Sequence, residues 1–259
     1  MEKHLKEAIQ ILDLSAHPEL NDVRVYLVNV TCLPKEVLAY LASTLSLKEK
    51  KKAVRFRKDL DRQVYVASRG MLRVLIGECL DLFPTEIEIV EERFGKPYLK
   101  DYRQNFQFNV SHSGQFVAIA IHPGEQQLGV DIEAINEQFE YWEVAGHYFT
   151  TDECDGVYSH RDFYKIWTKK EALLKATGVG LVDELNKLDF SREVNFLESD
   201  DERLRLFKNR KYTLYTLGND EIVVTLGIRE QLTKKARLDT KVVAESPYRA
   251  ADVCHVFLV

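Results

Sequence analysis

Cysteine is scarce in this sequence of 259 residues, and its four cysteines lie far apart without any C-x-x-C pair. This spacing disfavours a zinc site or a disulfide framework, because both bring cysteines together in defined pairs. No apolar run approaches the roughly 20 residues that cross a bilayer. The first residues also mix charged side chains into the apolar positions, which a secretory signal peptide does not do. We therefore expect a cytoplasmic protein that does not insert into a membrane.

Positive charge is also in deficit, since 36 Lys and Arg residues stand against 41 Asp and Glu residues, a net charge of −5. Nucleic-acid binding generally needs a basic surface, so we do not expect a nucleic-acid partner. Local basic clusters still suffice for a small polyphosphate. With 45% hydrophobic residues, the chain has enough apolar material for one large core or two modest ones.

Hydrophobic periodicity predicts a mixture of helices and mostly antiparallel strands, an α+β fold. Ser46 and Glu49 have the spacing of a capping box, which predicts the start of a basic helix. Further helices are predicted at 59–80, 137–148 and 161–177, strands at 106–110, 115–121 and 128–133, a hairpin at 212–228, and a short helix or frayed extension at 4–14. We place the join between two domains, 1–122 and 123–259, at the His122-Pro-Gly124 turn.

The strand predicted over Leu128–Glu133 carries two carboxylates on one face. Side chains two apart on a strand point the same way, so Asp131 and Glu133 lie together while Val130 and Ile132 face the other side. Two carboxylates on an otherwise apolar strand repel each other unless a cation joins them. This motif therefore predicts either a cation site or an edge strand with a solvated acidic face.

The helix predicted over 161–177 places Trp167, Glu171 and Lys175 along one stripe, at spacings of four residues. A Glu followed four residues later by a Lys is usually a surface ion pair. The large Trp167 side chain suggests instead that this face packs against another element. The tight Gly178-Val-Gly180 turn that follows is consistent with a stop at Gly178.

Two loops contain groups that suit phosphate binding. Gly95-Lys-Pro97 combines a flexible glycine, a stiff proline and a cation. His112 follows an apolar strand between two serines, an arrangement that suits an anion, although an ordinary polar turn is the alternative. Ser111 and His112 are adjacent and diverge on a strand, and no G-x-S-x-G motif is present, so we exclude a serine hydrolase.

Arginines recur on the predicted helix 59–80, where Arg62, Arg69 and Arg73 form one stripe. Such a stripe is usually a solvated face.

In this order, the fragments resemble the 4′-phosphopantetheinyl transferases of the long, surfactin-type class. The resemblance covers about residues 46–182 and rests on motifs that are each weak alone but specific together: Gly95-Lys-Pro97, Phe108–Ser113, Gly129–Glu133 and Trp167–Lys175 with Gly178 and Gly180. It implies two similar α/β halves in one chain, an active site in the cleft between them, and a monomer.

The resemblance also implies a reaction. Coenzyme A donates its phosphopantetheine arm to a serine hydroxyl of an apo acyl or peptidyl carrier protein, and adenosine 3′,5′-bisphosphate leaves. Mg²⁺, or alternatively Mn²⁺, is expected on Asp131, Glu133 and Glu171, which suits a cation that prefers oxygen ligands. Glu171 is expected to accept the serine proton, and Lys175 to stabilise the departing phosphate.

By the same resemblance, His112 and Lys96 hold the nucleotide phosphates of coenzyme A. Further groups are expected nearby: Arg62, Pro97, Ser111 and Lys170. Two other functions are compatible with parts of the sequence. One is a metal-dependent phosphohydrolase, which also uses three carboxylates, and the other is an inactive module that binds coenzyme A or a carrier.

Overall fold

The structure is a computed structural model, and it describes residues 8–14, 17, 20, 22–180, 182–191, 210–230 and 252–258. The chain divides into two compact units. The first comprises Met1–Arg93 and Pro97–Glu125, and the second comprises Phe94–Lys96 and Gln126–Val259. Each unit combines helices with an antiparallel sheet, so the predicted α+β fold of two halves is confirmed.

The first unit is built on a four-stranded antiparallel sheet in the order β1-β2-β6-β5. Its strands are β1 (Ile9–Ile11), β2 (Arg24–Asn29), β5 (Gln107–Ser113) and β6 (Phe116–His122), and a separate pair is formed by β3 (Ile89–Glu91) and β4 (Pro97–Leu99). Its helices are α1 (Lys35–Thr44), α2 (Leu47–Ala53) and α3 (Asp59–Leu80). Of the helix or frayed extension predicted over 4–14, residues 4–7 lie outside the described residues, and residues 9–11 form a strand that pairs with β2.

The second unit is built on a four-stranded antiparallel sheet in the order β10-β8-β9-β7. Its strands are β7 (Leu128–Ala134), β8 (Arg210–Gly218), β9 (Ile222–Arg229) and β10 (Asp252–Leu258). Its helices are α4 (Trp142–Tyr148), α5 (Thr151–Asp155) and α6 (His160–Thr177), and a 3₁₀ turn follows at Leu185–Lys187. None of the helices in the described part of the chain has the length and hydrophobicity of a membrane-spanning segment.

The core of the first unit lies between α3 and one face of its sheet. Leu72 and Ile76 of α3 are fully buried, and they share one hydrophobic cluster with Val117, Ile119 and Ile121 of β6. These positions fit the helical period on α3 and the two-residue period on β6, which is why the sequence pattern located both elements.

A buried ion pair fixes α2 against α3. The capping box predicted at Ser46 is confirmed, and its Glu49 carboxylate also accepts a hydrogen bond of 2.8 Å from Arg73 Nε. Burial by itself raises the pKa of Glu49, but the hydrogen bond from the Ser46 backbone and the charge of Arg73 outweigh it and lower the pKa. Arg73 is only 3% exposed and also donates to the carbonyls of Pro84 and Ile87. The arginine stripe is therefore not a uniformly solvated face.

Candidate active site

Two glycines let helix α6 lie directly on the strands of the second unit. Gly129 of β7 is the register partner of Gly227 of β9. A Cβ atom on Gly129 would lie 2.2 Å from the Ala176 nitrogen and 2.3 Å from the Ala172 oxygen. No side chain fits at these distances, so the absence of a Cβ is what permits the close contact.

Three buried threonines connect α6 to the same sheet. The hydroxyl of Thr168 lies 2.8 Å from that of Thr225, which in turn lies 2.9 Å from that of Thr216. Thr225 is also the register partner of Asp131 on β7. A hydrogen-bonded chain in the interior is strongly directional, so it fixes how α6 is rotated about its axis over β7.

We predict that Gly129→Ala lowers the free energy of unfolding by about 1–3 kcal/mol, as overpacking does when backbone must move. Gly146→Ala is the matched control, because a Cβ on Gly146 of α4 meets nothing within 4 Å. That control should leave stability unchanged or raise it by up to about 1 kcal/mol, since alanine favours the helix over glycine. Chemical denaturation of both variants measures the difference. Equal stabilities would contradict the close approach of α6 to β7.

This packing brings carboxylates of β7 and α6 together with a lysine. Asp131 is 2% exposed, and its Oδ1 lies 2.5 Å from Lys175 Nζ. The Glu171 Oε1 atom is buried and has no hydrogen-bond partner among the described residues. The ion pair of Lys175 is thus made across to the strand. It is not the surface pair with Glu171 that the spacing of four residues suggests.

The pKa of Glu171 is raised to about 7. Burial is the largest cause, and the negative charges of Asp131 and Glu133 add to it, while Lys175 acts in the opposite direction. A carboxyl group with this pKa is partly ionised at neutral pH and is able to exchange a proton there. The shift also means that the three predicted carboxylates lie near enough to interact.

Among the described residues, no three His, Cys, Asp or Glu side chains are grouped so as to hold a metal ion as they stand. The chemistry of the donors nevertheless fits a hard cation, because the carboxylates of Asp131, Glu133 and Glu171 interact and supply only oxygen. The buried Oε1 of Glu171, which has no hydrogen-bond partner in the described part of the chain, is a suitable ligand atom. The metal set therefore stays a prediction that these residues support.

Lys96 joins the two elements that carry these groups. Its Nζ donates hydrogen bonds of 3.0 Å to the carbonyl of Leu128, at the start of β7, and to that of Ala176, in the last turn of α6. The last carbonyls of a helix lack intrahelical partners and carry partial negative charge, so they favour a cation. Gly95, with φ of 86°, turns the chain just before this lysine. Lys96 therefore has a positioning role that the sequence did not reveal.

Lys170 lies in the core of the second unit. It is completely buried, and its Nζ lies 2.8 Å from Glu153 Oε2. It also donates to the carbonyls of Leu185 and Leu188. These three acceptors match the three protons of an ammonium group. The expectation that Lys170 binds coenzyme A is therefore corrected, because its ammonium is enclosed by acceptors of its own chain.

Comparison with known proteins separates the chain into the same two parts. Residues 34–124 match the N-terminal family model of 4′-phosphopantetheinyl transferases, and residues 127–226 match the model of the 4′-phosphopantetheinyl transferase superfamily. The chain belongs to the 4′-phosphopantetheinyl transferase superfamily. The second match contains Asp131, Glu133, Glu171 and Lys175, so the groups described above lie in the region that the superfamily model covers.

Several proteins named as phosphopantetheinyl transferases are similar in sequence. A Synechocystis protein is 33% identical over 151 residues, which cover 56% of this chain and 61% of that protein. The transferase HetI of Nostoc is 34% identical over 156 residues, which cover 57% of this chain and 65% of that protein. The human L-aminoadipate-semialdehyde dehydrogenase-phosphopantetheinyl transferase is 32% identical over 192 residues, which cover 67% of this chain and 61% of that protein. The chain thus matches less than two thirds of the length of each relative.

The other predicted residues of this 4′-phosphopantetheinyl transferase family member lie in the first unit. Ser111 and His112 are neighbours on β5; Ser111 is buried and His112 is exposed, so their side chains point to opposite faces. Arg62, in the first turn of α3, is exposed and pairs with Asp59 at 2.8 Å. Pro97 opens β4 opposite Glu91. His112 and Arg62 remain accessible to a ligand, whereas the Ser111 side chain is less so.

Several residues that shape the site were missed by reasoning from the sequence. The Gly129–Gly227 pair and the threonine chain depend on the register of β7 with β9, which no local pattern reveals. Glu153 did have a local signal, because Thr150 and Glu153 have capping-box spacing, and the structure shows that box. The spacing predicts the start of α5 but not the partner of the carboxylate.

Proposed function

We propose that this protein transfers the 4′-phosphopantetheine arm of coenzyme A to a serine hydroxyl of an apo acyl or peptidyl carrier protein. The proposed reaction depends on Mg²⁺, for which Mn²⁺ is a possible substitute, and releases adenosine 3′,5′-bisphosphate. We further propose that the protein acts as a monomer. Family membership supports the general reaction, since the similar proteins are named as phosphopantetheinyl transferases.

One observation carries this proposal to particular residues. Glu171, with its raised pKa, lies beside an Asp131–Lys175 ion pair on two tightly packed elements. Transfer of a phosphoryl group to a hydroxyl needs a group that accepts the hydroxyl proton and positive charge that stabilises the departing phosphate. Glu171 offers the first and Lys175 the second, within one turn of the same helix.

In the proposed mechanism, Asp131, Glu133 and Glu171 would hold the metal ion, which supplies charge neutralisation at the pyrophosphate when bound. The serine Oγ forms a bond to the β-phosphorus of coenzyme A, the one that carries the pantetheine arm, while the bond from that phosphorus to the bridging oxygen breaks. Glu171 accepts the serine proton, directly or through water. Lys175 stabilises the negative charge that develops on the leaving adenosine 3′,5′-bisphosphate. Lys96 keeps β7 and α6 together and thereby holds Asp131 near Glu171.

We propose that His112 and Arg62 contribute to binding the nucleotide phosphates, on the basis of their exposure and the resemblance. His112→Ala should raise KM for coenzyme A by about tenfold to a hundredfold, since a hydrogen bond to a charged group contributes about 1.5–3 kcal/mol. The kcat should change less, because a contact with a remote phosphate stabilises ground and transition states alike. His147→Ala, at another exposed histidine, is the control. A collapse of kcat alone would place His112 among the reacting groups.

Intact-mass analysis tests the reaction directly. Several apo carrier proteins are incubated with the full chain, coenzyme A and Mg²⁺, and the low-mass fraction is analysed for adenosine 3′,5′-bisphosphate. We expect at least one carrier to gain a phosphopantetheine group in equal amount with the nucleotide product. Release of inorganic phosphate without any carrier would identify a phosphohydrolase instead. Binding of coenzyme A with no product of either kind would identify an inactive binding module.

A further inference from the structure

The ammonium group of Lys175 lies among the predicted metal ligands. Its Nζ is 2.5 Å from Asp131 Oδ1, and its helix also carries Glu171. The two partners differ in exposure, because the Asp131 side chain is 3% exposed while that of Lys175 is 28% exposed. The Asp131 carboxylate is thus enclosed by the fold, whereas the Lys175 side chain that contacts it is partly exposed to solvent.

The carboxylates need a cation whether or not a metal ion is bound. Asp131 and Glu133 both act on Glu171 as like charges, and Glu171 Oε1 is buried with no hydrogen-bond partner in the described part of the chain. Like charges in a poorly solvated place repel strongly. Lys175 offsets that repulsion, so the ion pair stabilises the arrangement of β7 and α6 before any ligand arrives.

A divalent cation and this ammonium compete for the same oxygen atoms. A metal ion on Asp131 would be repelled by an ammonium that remains in contact with the same carboxylate. Asp131 is fixed on a central part of β7, but a lysine has a flexible four-carbon stem. The lysine is therefore the partner that moves. Because Lys175 is one turn from Glu171 on α6, it stays near the site after it leaves Asp131.

We propose that Lys175 is a built-in counter-ion that a divalent cation must displace from Asp131, and that the displaced ammonium then contacts the phosphate of the substrate. This inference rests on the proposed function for the position of the metal ion, and it adds a second role to Lys175. Metal binding and phosphate binding become linked, because the same event that places the metal ion releases a positive charge for the anion.

The two roles of Lys175 predict different metal affinities for a variant that lacks its charge. If Lys175 only stabilises the leaving phosphate, removing it leaves the affinity for metal unchanged in the absence of substrate. If it also occupies Asp131, removing it deletes a competitor and the metal ion binds more tightly. Lys175→Met keeps most of the side-chain volume and deletes the charge, whereas Lys175→Arg keeps the charge.

The experiment is a titration of the full-length protein with Mn²⁺, without coenzyme A, followed by electron paramagnetic resonance of the free ion. We expect Lys175→Met to bind Mn²⁺ about tenfold or more tightly than wild type, because the partly buried ion pair no longer opposes it. Lys175→Arg should stay near wild type. Lys169→Met, which removes the same charge elsewhere on α6, should also stay near wild type and thereby controls for net charge.

An Asp131→Asn background makes the result specific to this ion pair. There the gain from Lys175→Met should disappear, as a double-mutant cycle requires for two groups that interact. Equal or weaker Mn²⁺ binding by folded Lys175→Met overturns the proposal, and so does a gain that persists in the Asp131→Asn background or that Lys169→Met reproduces. Circular dichroism of each variant establishes folding, and if Lys175→Met does not fold, Lys175→Gln replaces it in the same titration.

The proposed function is tested separately by the mass assay on the wild-type protein. Transfer to a carrier together with unchanged Mn²⁺ affinity in Lys175→Met would leave the function standing and overturn the counter-ion role. Tighter Mn²⁺ binding by Lys175→Met without transfer to any carrier would support the counter-ion role and overturn the proposed function.

Discussion

Replacing Lys170 with methionine is expected to lower the free energy of unfolding by about 3–5 kcal/mol, the range for removing one partner of a buried ion pair. The reason is the environment of Glu153. Both side chains are completely buried, and Glu153 also accepts hydrogen bonds of 2.8 Å from the Thr150 nitrogen and 2.7 Å from the Phe190 nitrogen. Without the ammonium, the Glu153 carboxylate is left in the core with no opposing charge.

Two further variants show whether this loss of stability comes from the Lys170–Glu153 ion pair. Lys169→Met changes the same charge on the neighbouring, partly exposed residue, and it should shift stability by less than about 0.5 kcal/mol. Adding Glu153→Gln to Lys170→Met should restore much of the lost stability, because the double variant no longer buries an unpaired charge. Burial raises the pKa of Glu153 and lowers that of Lys170, which shows that both charges are costly to bury. Urea unfolding measures all four proteins. Normal stability of Lys170→Met with a raised KM for coenzyme A would instead favour a ligand-binding lysine.

The role of Lys170 illustrates what the sequence can and cannot predict. The long-helix boundaries were predictable, since α3 spans Asp59–Leu80 as expected, and α6 begins one residue before the predicted start. Both helices have a clear apolar stripe and a residue that ends them, Asp81 or Gly178 in the left-handed conformation. Local rules of this kind act within one element, so one sequence is enough to apply them.

Shorter elements were predicted less well. The expected helix 137–148 begins only at Trp142, and the helix Lys35–Thr44 was not predicted at all. Its N-cap is Pro34, which makes no side-chain capping hydrogen bond, so the usual start signal is missing. Strand β1 forms because it pairs with β2, which begins about fifteen residues further along the chain. The residues of β1 alone do not specify that partner.

The candidate site was predictable where its chemistry lies on one face of one element. Asp131 and Glu133 share a face of β7, and Glu171 and Lys175 share a face of α6. Which of these groups pair depends on how α6 lies over β7, and that depends on Gly129 and its neighbours. The Lys175–Asp131 pair and the enclosure of Lys170 therefore required the structure, because each joins residues far apart in sequence.

Glu171→Gln is expected to reduce the rate of phosphopantetheine transfer by about a hundredfold or more, a loss typical of removing a general base. Glutamine keeps the size of the side chain and one oxygen ligand, but it removes the charge and the ability to accept a proton. In the absence of metal, stability should hold or rise, because the negative charges of Asp131 and Glu133 no longer face a third carboxylate. A loss of rate in a fully folded protein thus reflects chemistry.

Dependence on Mg²⁺ separates the two roles proposed for Glu171. Asp131→Asn is the matched control, since it also removes one carboxylate charge from the site and leaves the proton acceptor in place. High Mg²⁺ should restore much of the rate of Asp131→Asn, whose main defect is weaker metal binding, whereas the defect of Glu171→Gln should persist at saturating Mg²⁺. Transfer to an apo carrier is measured by intact mass over a series of Mg²⁺ concentrations for both variants and the wild type. Near-normal turnover of Glu171→Gln at high Mg²⁺ would mean that the serine proton goes to another group, because the carboxylate would then have served only to hold the metal ion.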